Sequence, residues 1–252
     1  MTALLLDIGN SRIKWGVLDD GAIHRTGHIS HDRIQDQGLA ALTSRLPRTV
    51  DTVFASNVAG TSFATRLSGV VGMHCHADVR FARSEKEACG VTNSYRQPRR
   101  LGVDRWVAMI GAWAEVGSAC IIVDAGTAVT VDALDAKGGH RGGQIIPGVT
   151  LMAGSLAARA SDIPNIQRRA ASPSNGMDMF ATTTAGAVGQ GALNAVTGAI
   201  ERAARAMRSD LGDATIILTG GDASRILKSL DEDAIHRPHL VLQGLAQLLE
   251  HR

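Results

Sequence analysis

The chain has 252 residues, with 26 lysines and arginines against 24 aspartates and glutamates and a formal charge of +2 with histidine neutral. At about 100–200 residues per domain, that length fits one large domain or two small ones, each with enough chain for a real core. The near-balanced charge excludes the basic excess of a dedicated nucleic-acid binder, and eight aromatics (four Phe, three Trp, one Tyr) are too few for a base-stacking platform.

In chain order, Leu4-Leu5-Leu6-Asp7-Ile8-Gly9-Asn10 is a short apolar run, read as a buried strand, ending in an Asp-x-Gly turn. Met1 to Asp7 has no basic start, so no signal peptide is expected, and no stretch reaches the ~18 apolar residues of a membrane span. A soluble cytoplasmic protein is the expectation. Ile13 to Leu18 followed by Asp19-Asp20-Gly21 predicts a hairpin, and Val53 to Val58 reads as a strand. Cys75, Cys89 and Cys120 are too few and too scattered for a disulfide framework. His74-Cys75-His76, with Cys89 beyond, resembles part of a metal site, since a His-x-His pair in a strand can point both rings one way. No second tight cluster completes it, and a structural or surface role is assigned. Arg105 to Val116 predicts a helix with Trp106, Met109, Ile110 and Trp113 along one face.

The opening pattern then returns. Ile121-Ile122-Val123-Asp124-Ala125-Gly126-Thr127 repeats it 117 residues on, followed by Val129 to Leu134 and the turn Lys137-Gly138-Gly139. Either copy alone is ordinary turn chemistry. Two copies half a chain apart point to duplication of a hairpin-first α/β domain, with the boundary near residues 115–120. Ser161 to Asp178, with Pro164 and Pro173, has the composition of a surface connection. Thr184 to Met207 reads as a small-residue helix and Ala214 to Leu218 as a strand ending in Thr219-Gly220-Gly221-Asp222. Leu240 to Leu249 reads as a closing amphipathic helix.

Three glycine-bearing turns thus follow strands, at Asp7 to Ser11, Asp124 to Thr127 and Thr219 to Asp222. Glycine lets the backbone approach a phosphate, whose oxygens accept from the exposed N–H groups. Asn10, Ser11 and Thr127 add neutral donors and Lys14 a point charge, while Asp7 and Asp124 make sense if a cation stands against the phosphates. Three such turns suggest a nucleotide cleft between two related halves. Neither the P-loop spacing nor Gly-x-Gly-x-x-Gly is present. Two readings fit Asp104, where the loop from Tyr95 to Leu101 meets the helix. It caps the helix while Arg105 pairs on the surface, or it is a general base for a substrate hydroxyl with Arg105 gripping an anionic group. The lone Tyr95 is core packing or a pocket wall. Arg96, Arg99, Arg100 and Arg105 form the densest basic patch, which fits a small anion or plain solvation better than DNA.

Taken in order, Asp7-Ile8-Gly9-Asn10-Ser11-Arg12-Ile13-Lys14, Gly102-Val103-Asp104-Arg105, Asp124 to Asp132, Gly142 to Gly148 and Leu218 to Asp222 resemble the type III pantothenate kinases, in their proteobacterial branch. The resemblance covers nearly the whole chain. It implies an actin-like (ASKHA) α/β fold of two duplicated RNase H-like domains, 1–117 and 118–252, with the active site in the cleft between them, and a homodimer. The implied reaction is ATP-dependent phosphorylation of pantothenate to 4′-phosphopantothenate, the first step toward coenzyme A. By position, Asp7, Ile8, Gly9, Asn10, Ser11, Arg12, Ile13, Lys14 and Thr127 bind ATP, which comes with Mg²⁺. Asp124 holds a monovalent cation, K⁺ or NH₄⁺. Tyr95, Gly102, Val103, Asp104, Arg105 and Thr182 bind pantothenate, with Asp104 the proton acceptor. Thr182 reaches the pocket from the partner subunit in the family, but Thr183 and Thr184 allow a shifted register, and Ala181 replaces the usual Asn. No nucleic acid or membrane partner is implied. A regulatory protein on the same fold, or a kinase for another hydroxyl substrate such as a sugar, is the alternative; a regulatory protein would tolerate loss of Asp104 and of the cation site, which this chain keeps.

Overall fold

Alternate side chains of the first apolar run enter different layers, and this explains why the run is continuously hydrophobic. In the computed structural model, which describes residues 1–159 and 179–251, β1 (Ala3–Ile8) is buried along its whole length. Leu4, Leu6 and Ile8 join a core with Ile13, Val53, Leu67 and Val71, while Ala3, Leu5 and Asp7 face the other side of the sheet. Each fully buried leucine or isoleucine contributes about 1.5–3 kcal/mol.

β1 pairs antiparallel with β2 (Arg12–Asp19), which pairs antiparallel with β3 (Ala22–Ser30) across Asp20-Gly21. The short helices α1 (His31–Gln37) and α2 (Ala40–Thr43) follow. β4 (Thr52–Asn57) lies parallel to β1, α3 (Thr61–Cys75) covers the sheet, and β5 (Val79–Phe81) lies parallel to β4. A small pair, β6 (Glu87–Ala88) and β7 (Val91–Thr92), leads through a loop to α4 (Val103–Val116). The second sheet repeats the plan with β8 (Cys120–Ala125), β9 (Ala128–Leu134) and β10 (His140–Pro147). After α5 (Val149–Arg159) and α6 (Thr184–Leu211) come β11 (Thr215–Thr219), α7 (Ala223–Leu227), β12 (Ala234–His236) and α8 (Leu240–Glu250). The orders are β3-β2-β1-β4-β5 and β10-β9-β8-β11-β12, the same path twice, as the duplicated RNase H-like reading expects. The proposed surface connection from Ser161 to Asp178 lies outside the described residues.

Two compact units result. One comprises Met1–Gly117, Lys137–His140 and the segment from His239 onward; the other comprises Ser118–Ala136 and the described part of Arg141–Pro238. α8 therefore packs in the first unit, against α4, β1 and β4. Sandwiched this way, α4 buries Val107, Ala108 and Ala112 as well as the expected Trp106, Met109 and Ile110, so it is apolar nearly all round rather than along one stripe. In the second unit α6 lies on β8 and β9, with Leu193, Val196 and Ile200 packed against Ile121, Val123 and Val131. His74-Cys75-His76 closes a helix rather than lying in a strand. His76 takes the left-handed C-cap conformation and the buried Cys75 thiol donates to the Pro47 carbonyl (3.3 Å), so the two rings do not form a strand-type pair. No group of three potential metal-binding His, Cys, Asp or Glu side chains gathers among the described residues, and no described helix is long and apolar enough to cross a membrane.

Candidate active site

The residues from Asp7 to Lys14 are the β1–β2 hairpin. The Gly9 N–H donates to the Arg12 carbonyl (3.1 Å), and the His31 N–H to the Ser11 carbonyl (3.0 Å). His31 Nε2 meets the Gly9 carbonyl at 2.9 Å, so that nitrogen carries the hydrogen. Asn10 and Ser11 are exposed at the tip, while Asp7 is nearly buried and opposes Lys14. Ile8 and Ile13 are fully buried core residues, leaving only their backbone to meet a ligand. His239 lies near Lys14; burial first, and the Lys14 charge second, hold its ring below the usual histidine pKa, so it is neutral at pH 7.

Register pairs each turn aspartate with a hydroxyl: Ser56, which sequence reasoning did not single out, and Thr219, which it read only as the start of the third glycine turn. Asp7 opposes Ser56 on parallel β4, and Asp124 opposes Thr219 on parallel β11. Both hydroxyls are buried without a hydrogen-bond partner. The signal was the duplication itself, since β4 and β11 occupy equivalent places in the two sheets.

The N-terminus of α4 differs from the capping reading of Asp104. Gly102 occupies the cap position, and Asp104 is the second helical residue, half-buried, with Oδ1 accepting the Arg105 N–H at 2.8 Å. A carboxylate in the first turn favourably meets the positive end of the helix dipole. Arg105 is not a surface residue. It is 6% exposed, donates from Nη1 to the Tyr95 hydroxyl (3.1 Å) and lies 5.8 Å from the centre of that ring. Tyr95, Asp104 and Arg105 thus gather as one group. Val103 and Gly102 shape the turn beside it, and a methyl group on Gly102 would come within 2.7 Å of Asp104 Oδ1.

A further residue missed from sequence, Asn93, builds the loop that delivers Tyr95. Fully buried, it donates from Nδ2 to the carbonyls of Glu85 (3.1 Å) and Pro98 (3.2 Å) and accepts the Tyr95 N–H on Oδ1 (3.0 Å). A lone Asn in an Arg- and Pro-rich loop offers no sequence signal for this.

In the second unit the Asp124–Thr127 turn has Thr127 exposed and Asp124 half-buried. Two other turns lean on it. The Gly148 N–H donates to the Thr127 carbonyl (2.8 Å), and the Asp222 N–H to the Ala125 carbonyl (2.9 Å). A side chain at Gly148 would overlap the Gly126 carbonyl and come within 2.7 Å of the Thr127 oxygen, so only glycine lets this approach occur. Thr182 is exposed just before α6. Thr183 is its N-cap, accepting the Gly186 N–H at 3.1 Å, and Thr184 is the first helical residue, which leaves Thr182 as the one of the three outside the helix start.

A family model for type III pantothenate kinase matches residues 3–206. A type III pantothenate kinase of Aromatoleum aromaticum is 39% identical over 245 residues, covering 96% of each chain. Among solved structures, a Campylobacter jejuni protein described as a Baf family transcriptional activator is similar with a TM-score of 0.62 at 20% identity, covering 98% of this chain and 97% of the other. A Sinorhizobium meliloti protein described as a 2-dehydro-3-deoxygalactonokinase gives 0.57 at 14% identity, covering 97% of both. At those identities the structural likeness speaks for the fold.

Proposed function

As this chain belongs to the type III pantothenate kinase family, we propose that it phosphorylates pantothenate with ATP, the first step toward coenzyme A, and that Asp104 takes the proton. The observation that carries the residue assignment is the grouping of Asp104, Arg105 and Tyr95 at the start of α4. The primary hydroxyl of pantothenate attacks the γ-phosphorus, the bond to the bridging oxygen breaks, ADP leaves, and the hydroxyl proton passes to the Asp104 carboxylate. Asp104 is half-buried, so water has limited access to that proton. The Arg105 guanidinium offers a fork to the pantothenate carboxylate, and its bond to Tyr95 Oη leaves the phenol hydrogen free to point toward substrate.

The backbone of Gly9 to Lys14 and the exposed Asn10, Ser11 and Thr127 are assigned to the ATP phosphates, with Mg²⁺ arriving on the nucleotide. Asp124 fits a monovalent cation such as K⁺: one carboxylate and the unpartnered Thr219 hydroxyl beside it are hard oxygen donors of low total charge. Such an ion, held by Asp124 and Thr219, would supply positive charge to offset the negative charge of the transferred phosphoryl group. ADP release measured with and without pantothenate and K⁺ tests the whole reading. We expect turnover to require both, and Arg105→Ala to raise the pantothenate KM about tenfold or more while leaving the ATP KM unchanged. Turnover without pantothenate, or with a sugar in its place, overturns it.

Homodimer formation is part of the same proposal. Ile145, Leu151, Leu156, Met179 and Phe180 are large exposed apolar residues of the second unit, Phe180 at 86%, close in sequence to Thr182. A second copy covering them would bring the partner's Thr182 into use. Light scattering is expected to give twice the chain mass, and Phe180→Asp to shift it toward the monomer; a monomeric native protein refutes this.

A further inference from the structure

The chain's single tyrosine is gripped from a direction that the chemistry at Asp104 does not explain. The His140 ring lies nearly parallel to Tyr95, with an interplanar angle of 15° and ring centres 6.0 Å apart. His140 is 4% exposed, and its Nδ1 is 3.1 Å from Ser94 Oγ, on the residue just before Tyr95. Tyr95 therefore meets a guanidinium through its hydroxyl and ring, and an imidazole through its ring.

His140 is itself delivered by the 137–140 turn. The Thr92 N–H donates to the Gly138 carbonyl at 3.0 Å, and a side chain on Gly138 would overlap the Gly90 carbonyl. This close approach fastens the start of β10 beside the loop that carries Tyr95. In sequence, the turn announced a hairpin; its seat on residues 90–92 is a tertiary fact.

We propose that His140, latched by Ser94, is a positioning residue that fixes the Tyr95 ring and so tunes pantothenate binding. The proposal rests on the reading of Tyr95 as a pantothenate contact. A tyrosine ring has two free torsions. Arg105 restrains the hydroxyl end, and His140 restrains the plane of the ring, so the phenol hydrogen is aimed before substrate arrives. Pre-organisation of this kind acts on substrate binding rather than on the transferred phosphoryl group.

The test uses the full-length enzyme with ¹³C-labelled tyrosine, in which Tyr95 gives the only tyrosine ring signals. Ser94→Ala and His140→Ala are expected to raise the pantothenate KM about three- to tenfold, with kcat and the ATP KM within about twofold of wild type. The Tyr95 ring resonances move in His140→Ala. His140→Phe, which keeps a flat ring against Tyr95, recovers most of the KM. Ser94 is exposed, so its variant keeps the test usable even where His140→Ala loses stability. Unchanged pantothenate KM in both variants, or an unmoved Tyr95 signal in folded His140→Ala, overturns the proposal. If Tyr95→Ala raises the KM while the His140 and Ser94 variants do not, only the latch falls. An unchanged KM in Tyr95→Ala removes the substrate reading beneath it.

Discussion

Replacing Asp104 by asparagine is expected to lower kcat about 10²- to 10⁴-fold, the usual contribution of a positioned general base. The amide has nearly the carboxylate's shape, and its oxygen can still accept the Arg105 N–H, so the helix start survives. The melting temperature therefore falls only by the roughly 2–4 °C that the lost helix-end charge accounts for, and the affinities for ATP and pantothenate stay close to those of the native enzyme. This split separates proton acceptance from helix stabilisation, since a residue acting only at the helix end would move stability by about 1 kcal/mol and leave kcat alone. Rapid-quench measurement of the phosphoryl-transfer step, alongside calorimetric binding of pantothenate, checks it. A kcat within about threefold of wild type would remove Asp104 from the mechanism.

The largest expected effect on stability comes from Gly244→Ala. In α8, Gly244 lies so close to α4 that a methyl group would overlap the Val107 carbonyl oxygen and come within 2.9 Å of a Val107 side-chain carbon. The facing Gly111 is also tight, though less so, with the Leu240 carbonyl 2.5 Å from where its methyl group would lie. Backbone atoms cannot rotate away as a side-chain tip can, so the helices must separate. We expect a loss of about 3 kcal/mol, and with it a fall of about 10 °C in the melting midpoint. Gly198→Ala is the matched control: that glycine is exposed in α6 with nothing within 4 Å, so alanine there is neutral or stabilising by up to about 1 kcal/mol. Thermal unfolding of the two variants side by side decides the point, and equal midpoints would refute the close-packed account of α4 and α8.

The elements of the fold were legible because their signals are local. Apolar runs ending at glycine turns gave β1, β8 and β11 within a residue or two of their observed limits, periodicity gave α4 and α8, and a run of small residues gave α6. The echo between Asp7 and Asp124 announced the duplication, which the matching strand orders bear out. Less legible was how each residue is used. Periodicity showed one apolar face on α4, whereas contact with both sheet and α8 buries it nearly all round. The helix begins at Val103 rather than Arg105 because Gly102 serves as its cap, which moved Asp104 from the cap into the first turn.

By itself, the sequence determined the class of fold, its internal repeat and the family, since each is carried by short patterns of apolar residues, glycines and carboxylates whose order survives in one dimension. The tertiary structure alone decided that the last helix joins the first unit, that Arg105 is buried against Tyr95, that Asn93 holds their loop, and that Ser56 and Thr219 stand beside the two aspartates. The physical reason is that these are contacts between segments distant along the chain. A buried hydroxyl, a glycine beneath a carbonyl or an imidazole against a phenol leaves no periodic trace; its partner is chosen only when the sheets and helices have packed.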